Sequence, residues 1–162
     1  MDAIISPRAG PAERSGGATG PLPLVAGAVF GLKQGMSTQS PTTWITICDT
    51  CKREGWDAAS GETDGERLAA LVEAAARDMP VRTRRVSCLM GCQQGCNVAV
   101  QAAGKLNYTL GRFEVSEEAA QGIVDWAVLH GESASGQVPY RTWPAAVKGH
   151  FVTRHPPLPD AE

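Results

Sequence analysis

Val86 to Val100 reads VSCLMGCQQGCNVAV, and the fold of the chain turns on whether this stretch is a helix or a loop. It holds three of the five cysteines, Cys88, Cys92 and Cys96, at intervals of four. That spacing would line one face of an α-helix. Its neighbours argue otherwise. Val81 to Val86 has the β-branched texture of a strand, while Asn97 to Gln101 and Lys105 to Leu110 alternate about Ala103 and Gly104 like a β-hairpin. With Gly91 and Gly95 just before two of the thiols, the stretch is predicted to be a loop joining a strand to a hairpin.

The other two thiols, Cys48 and Cys51, lie upstream in ITICDTC. TTWITI, from Thr42, is rich in β-branched and aromatic residues and reads as a buried strand running into a loop at Cys48. That loop passes Gly55 and Gly61 and ends at Thr63, which with Glu66 makes a capping box. Leu68, Leu71, Val72, Ala75 and Met79 then recur at helical spacing, and Pro80 closes the helix. Strand, helix and strand assemble as a right-handed unit with parallel strands. Parallel neighbours end at the same sheet edge, so Cys48 and Cys51 are expected beside Cys88 and Cys92. Beyond the hairpin, Ser116 caps a second helix whose Ala120, Ile123, Val124, Ala127 and Val128 face the sheet, ending near Gly131. The expected order is β-α-β-β-β-α in a mixed α/β sheet.

Three segments follow. Residues 1–41 hold seven glycines and five prolines without periodicity, the composition of a disordered tail. Met36, just before the first strand, offers an alternative start, and the apolar run LPLVAGAVFGL loosely resembles a signal sequence interrupted by Pro23. Residues 42–131 form the domain that carries the cysteines. Residues 132–162 form an extension with a short helix, capped by Thr142, with Pro144 in its first turn and Gly149 as its stop; Tyr140, Trp143 and Phe151 are expected to pack back on the domain.

The balance of 15 basic against 17 acidic residues gives no field that would attract nucleic acid or an anionic membrane. No apolar run approaches the roughly 20 residues of a membrane helix. An odd number of cysteines, five, cannot all pair internally, and CxxC spacing outside a small secreted scaffold points to metal or redox chemistry in a reducing cytoplasm. Four thiolates on two neighbouring loops suit zinc or an iron-sulfur cluster. Lys52, Arg53, Arg82, Arg84 and Arg85 flank the two loops, where their charge would favour an anionic centre; Gly91 and Gly95 would aim amides at sulfur. His130, His150 and His155 stand at no ligand spacing from a cysteine.

CLMGCQQGCNVAVQAAGKLNY resembles the second ligand loop, valine strand, glycine turn and tyrosine strand of the thioredoxin-like [2Fe-2S] ferredoxins and of the related small subunit of respiratory NADH dehydrogenase. Cys88 and Cys92 take the ligand positions there, and Cys96 stands where those proteins carry a proline. The likeness covers residues 43–130, although Cys48 and Cys51 are closer together than the first ferredoxin pair. The tighter pair and extra thiol are more similar to the bacterial DUF1636 family of predicted metal-binding proteins, a likeness that extends over the C-terminal segment. It implies ligands Cys48, Cys51, Cys88 and Cys92, with Cys96 as an alternate, a thioredoxin-like fold, and a link to cobalt or cobalamin metabolism.

The expected function is a [2Fe-2S] single-electron carrier exchanging electrons with a reductase or acceptor protein, in which no catalytic acid or base is required. A zinc or other metal-binding module is the alternative, and a homodimer is compatible with either. A thiol-disulfide oxidoreductase ranks below both, because the helix begins well after Cys51 and no proline lies between Pro80 and Pro139 to stand beside an active dithiol.

Overall fold

The computed structural model describes residues 42–159. The expected disordered tail over residues 1–41, the signal-like run and the alternative start at Met36 lie outside the described residues. Five strands, β1 (Thr43–Cys48), β2 (Val81–Val86), β3 (Val98–Gln101), β4 (Asn107–Leu110) and β5 (Phe151–His155), combine with two helices, α1 (Asp64–Ala75) and α2 (Glu117–Glu132). The sheet runs β2-β1-β3-β4-β5. β1 and β2 are parallel, and every other pairing is antiparallel. This is the expected mixed α/β fold, with a fifth strand added, and nothing in it conflicts with a thioredoxin-like arrangement. Among the described residues no helix is long and apolar enough to cross a membrane.

Alternation along the strands builds the core. Ile45 lies opposite Val100, which lies opposite Tyr108; Ile47 lies opposite Val98, which lies opposite Leu110. These two cross-strand rows are buried with Leu68, Ala69 and Val72 of α1 and Ala120, Ile123, Val124 and Ala127 of α2. The helices pack on each other and on β1. Both start where the sequence marks them. Thr63 accepts from the Glu66 amide while the Glu66 carboxylate takes the Thr63 amide at 2.7 Å, and Ser116 accepts from the Ala119 amide at 3.2 Å. Such caps contribute about 1 kcal/mol each.

The C-terminal segment departs from expectation. In place of one short helix there are two 3-10 turns, Tyr140–Thr142 and Ala145–Val147, separated by extended backbone at Trp143 (ψ 134°). Pro144 explains the break, since a residue preceding proline is forced out of the helical region. After Gly149 the chain forms β5 against β4. Trp143 and Phe151 do pack back on the domain, with ring centroids 4.1 Å apart, and Phe151 meets the fully buried Trp126 of α2 at 5.0 Å. Tyr140 remains largely exposed. Contact with α2 is close: a β-carbon on Gly122 would sit 2.7 Å from that of Ala146.

The end of α2 is closed by two buried polar residues. Lys105 Nζ donates to the Gly131 carbonyl at 2.5 Å, placing a cation at the negative end of the helix. His130 donates from Nε2 to the Leu106 carbonyl at 2.7 Å, and its Nδ1 lies 3.5 Å from the Thr43 hydroxyl. Burial holds the His130 pKa below the ordinary histidine value, with the Leu106 carbonyl opposing and the Lys105 charge adding to the depression. The unfolded chain therefore binds this proton more readily. Its contribution to stability is complete above the ordinary imidazole pKa and is lost as pH falls through the folded value. Thermal melting should accordingly weaken between about pH 7 and about pH 5, and His130→Gln should flatten that decline; an equal decline in the variant would place the acid sensitivity elsewhere.

Candidate metal centre

The order β2-β1-β3 fixes where the sulfurs lie. The chain leaves β2 at Val86 on one side of β1 and enters β3 at Val98 on the other, so residues 87–97 must cross the C-terminal end of β1. Cys48 is the last residue of β1. Hydrogen bonds stitch the crossing to that end: the Cys48 amide donates to the Asn97 carbonyl at 3.0 Å, the Asp49 amide to the Val86 carbonyl at 3.0 Å, and the Thr50 hydroxyl to the Ser87 carbonyl. The crossing is a loop with one 3-10 turn at Cys92–Gln94, as the sequence indicates.

The loop after β1 is fastened to the start of α1. The Gly65 amide donates to the Cys51 carbonyl at 3.0 Å, the Arg53 amide to the Asp64 carboxylate at 2.8 Å, and the Thr63 hydroxyl to the Asp49 carbonyl. A β-carbon at Gly65 would lie 2.4 Å from the Cys48 carbonyl oxygen, so only glycine lets the helix approach this closely. Cys51 thus reaches the helix N-terminus despite the long intervening loop. Its carbonyl, rather than its sulfur, takes the free amide.

The five thiols divide into two sets. Cys48, Cys51 and Cys96 are 3%, 4% and 0% exposed, whereas Cys88 and Cys92 are exposed. Main-chain amides reach two of the sulfurs: Asn97 donates to Cys51 at 3.5 Å and Met90 to Cys88 at 3.3 Å. Burial pushes the Cys48 thiol up, but the polar groups around it, Thr50 foremost with Leu89 and Cys51, together bring it below the usual thiol value. Burial raises Cys51 despite the Asn97 amide. Cys96 is pushed up to about 12 by burial and by the neighbouring Cys51 and Asp64. Within the buried set the surroundings of Cys48 thus favour its anion, while those of Cys51 and Cys96 favour the neutral thiol.

Asn97 is the residue that sequence reasoning passes over. It is 1% exposed and begins the segment that becomes β3. Its side-chain Nδ2 donates to the Gly91 carbonyl at 2.5 Å and lies 3.7 Å from Cys51 Sγ, while its main chain serves both Cys48 and Cys51. Its Oδ1 is buried without a partner, crowded by Gly91 and Gly111, whose added β-carbons would stand 2.6 Å and 2.9 Å away. The available signal is a polar residue at the head of a valine-rich strand; read alone, it looks like an ordinary strand start. The loop is further braced where the Arg112 amide donates to the carbonyls of Gln94 and Gly95 and its guanidinium donates to the Gly149 carbonyl at 2.7 Å.

Several expectations change. Cys96, expected only as an alternate, is the thiol buried with the first pair, while Cys88 and Cys92 face outward from the crossing loop. Among the described residues no three His, Cys, Asp or Glu side chains stand close enough together to hold a metal ion. Four of the flanking cations hold other partners: Arg85 pairs with Glu73 at 2.6 Å, Arg84 reaches Thr46 and Gln101, Lys52 covers the Trp56 ring, and Arg53 meets Glu114 while its charge still favours the Cys96 anion. The loop glycines do not aim amides at sulfur. Gly91 accepts from Asn97 through its carbonyl, and the Gly95 amide bonds to the Cys92 carbonyl at 3.2 Å. His130, His150 and His155 bond to Leu106, Gly111 and Thr153.

The family model described as "Protein of unknown function (DUF1636)" matches residues 45–157, from β1 through β5. The chain belongs to the DUF1636 family. No curated protein and no solved structure matches it. The matched region takes in all five cysteines and the β5 segment, so the DUF1636 domain here is the whole five-stranded unit.

Asn97→Ala should strand the Gly91 carbonyl and remove a contact to Cys51, destabilising the reduced, metal-free protein by about 1 to 3 kcal/mol. Urea unfolding measures this; a midpoint equal to wild type would show that the loop is held without the Asn97 side chain.

Proposed function

We propose that this DUF1636 protein binds metal through cysteine thiolates and works as a [2Fe-2S] single-electron carrier, with Cys48, Cys51, Cys88 and Cys92 as ligands and Cys96 as a fifth, adjacent sulfur. The observation that carries the proposal is the pair of main-chain amides on Cys51 and Cys88, one sulfur from each loop. Amide donors stabilise anionic sulfur, and among the described residues no hydrogen bond reaches the Cys96 sulfur. Soft sulfur donors on two loops that meet at one sheet edge fit iron-sulfur chemistry, in which the cluster supplies reversible uptake of one electron. The protein's own part is to fix the sulfurs, to offset negative charge with N–H dipoles, and to leave Cys88 and Cys92 facing an electron-exchange partner, a reductase or an acceptor.

Burial of the first pair argues against dithiol exchange. At 3% and 4% exposure neither Cys48 nor Cys51 can attack a disulfide on another protein without the crossing loop first moving aside.

Purification without oxygen should give matched iron and sulfide and a visible absorption that dithionite bleaches. A colourless protein containing one zinc would sink electron transfer and leave a structural or delivery module. Cys88→Ser should lose the metal, whereas Cys96→Ser should retain most of it; equal losses would show that a different four of the five cysteines are ligands.

A further inference from the structure

The outer end of the sheet carries a groove that the sulfur chemistry does not use. Tyr108, Tyr140, Trp143, Phe151, Val152 and Arg154 line a cleft of about 470 Å³ beside β5, with no cysteine in its lining. Its rings form a ladder: the centroids of Tyr140 and Trp143 are 5.0 Å apart, and those of Trp143 and Phe151 are 4.1 Å apart. Tyr140 is 64% exposed, and Lys148 Nζ stands 5.3 Å from its ring centre. Residues 133–159 hold Arg141, Lys148 and Arg154 but no aspartate or glutamate, although the chain as a whole has a net charge of -2. The groove is therefore both aromatic and electropositive.

The chain itself carries a segment of the complementary chemistry. Directly after β5 comes Pro156-Pro157-Leu158-Pro159, exposed throughout, and Asp160 and Glu162 follow it in sequence. Leu158 is 88% exposed. Prolines at this density favour polyproline II backbone, and such segments bind in aromatic-lined grooves. This segment does not reach its own groove. The groove lies alongside Phe151 to Arg154, so the chain would have to reverse immediately after His155. A tight reversal there needs a helical or left-handed residue, and His155, Pro156 and Leu158 are each held extended by the proline that follows.

We propose that the groove receives residues 156–162 of a second copy of this chain, exchanged reciprocally in a homodimer. The rings of Tyr140 and Trp143 take the prolines and Leu158, and Lys148 and Arg154 meet the acidic side chains of Asp160 and Glu162. Each copy offers one segment and one groove. Two individually weak contacts then act together, because the first raises the effective concentration for the second. The association does not depend on what the sulfurs hold.

Sedimentation velocity of the full-length chain over a range of concentrations tests this. Wild type should dimerise, and Tyr140→Ser and Leu158→Ser should each weaken the dimer by at least about tenfold, the loss expected for an anchor residue. Both side chains are exposed, so neither substitution disturbs the core. An equimolar mixture of the two variants should recover part of the association, since one intact groove then meets one intact segment. A capped peptide of residues 155–162 should bind Leu158→Ser with a change in tryptophan fluorescence, and should bind Tyr140→Ser at least about tenfold more weakly. A wild-type monomer at every concentration, a dimer indifferent to both substitutions, a mixture no better than its components, or a peptide that ignores Leu158→Ser or binds both variants equally would each overturn the proposal.

Discussion

One topological constraint governs this molecule: the strand that follows β2 in sequence pairs on the far side of β1. The connection between β2 and β3 must therefore pass over the end of β1, and this places a cysteine-rich loop directly above the last residue of a buried strand. Crossing the sheet edge also leaves β1 without exposed main-chain groups at that end, because Cys48 and Asp49 find partners in Asn97 and Val86. The sulfur chemistry and the closing of the sheet thus share one short stretch of chain. A change to either acts on the other.

Around that sheet edge, burial and hydrogen bonding place five chemically identical side chains in different settings. Desolvation favours the neutral thiol, and only where several donors converge does the anion gain. Cys48 has that convergence; Cys96, enclosed without a donor among the described residues, does not. Two of the β2 arginines are spent on the sheet edge: Arg85 pairs with Glu73 of α1, and Arg84 with side chains of β1 and β3. Fixed dipoles need no counterions and are little screened by salt.

Much of this was legible in the residues themselves. Thr63 with Glu66 and Ser116 gave the helix starts, alternation gave β1 through β4, and the requirement that parallel strands share an edge brought the two cysteine loops together. What escaped was set by contacts distant in sequence. FVTRH between Gly149 and Pro156 is too short to announce a strand, and it becomes one because β4 presents an open edge and Trp126 a surface for Phe151. Cysteine spacing likewise says nothing about which thiols point inward, since a single left-handed residue such as Met90 or Cys96 (φ 53°) redirects the side chains that follow. Asn97 could not be singled out because its partners, Gly91, Cys51 and Cys48, converge on it only in the folded chain.

The brace from Gly149 to Arg112, and from Arg112 to the carbonyls of Gln94 and Gly95, also orders events in time. Every cysteine is synthesised before the segment that completes this brace and the outer strand. During translation the sulfur loop is therefore complete before the segment that braces it, and the enclosure seen in the folded chain waits for that last segment. Enclosure of the sulfurs and the end of synthesis are in this way linked by the order of the chain.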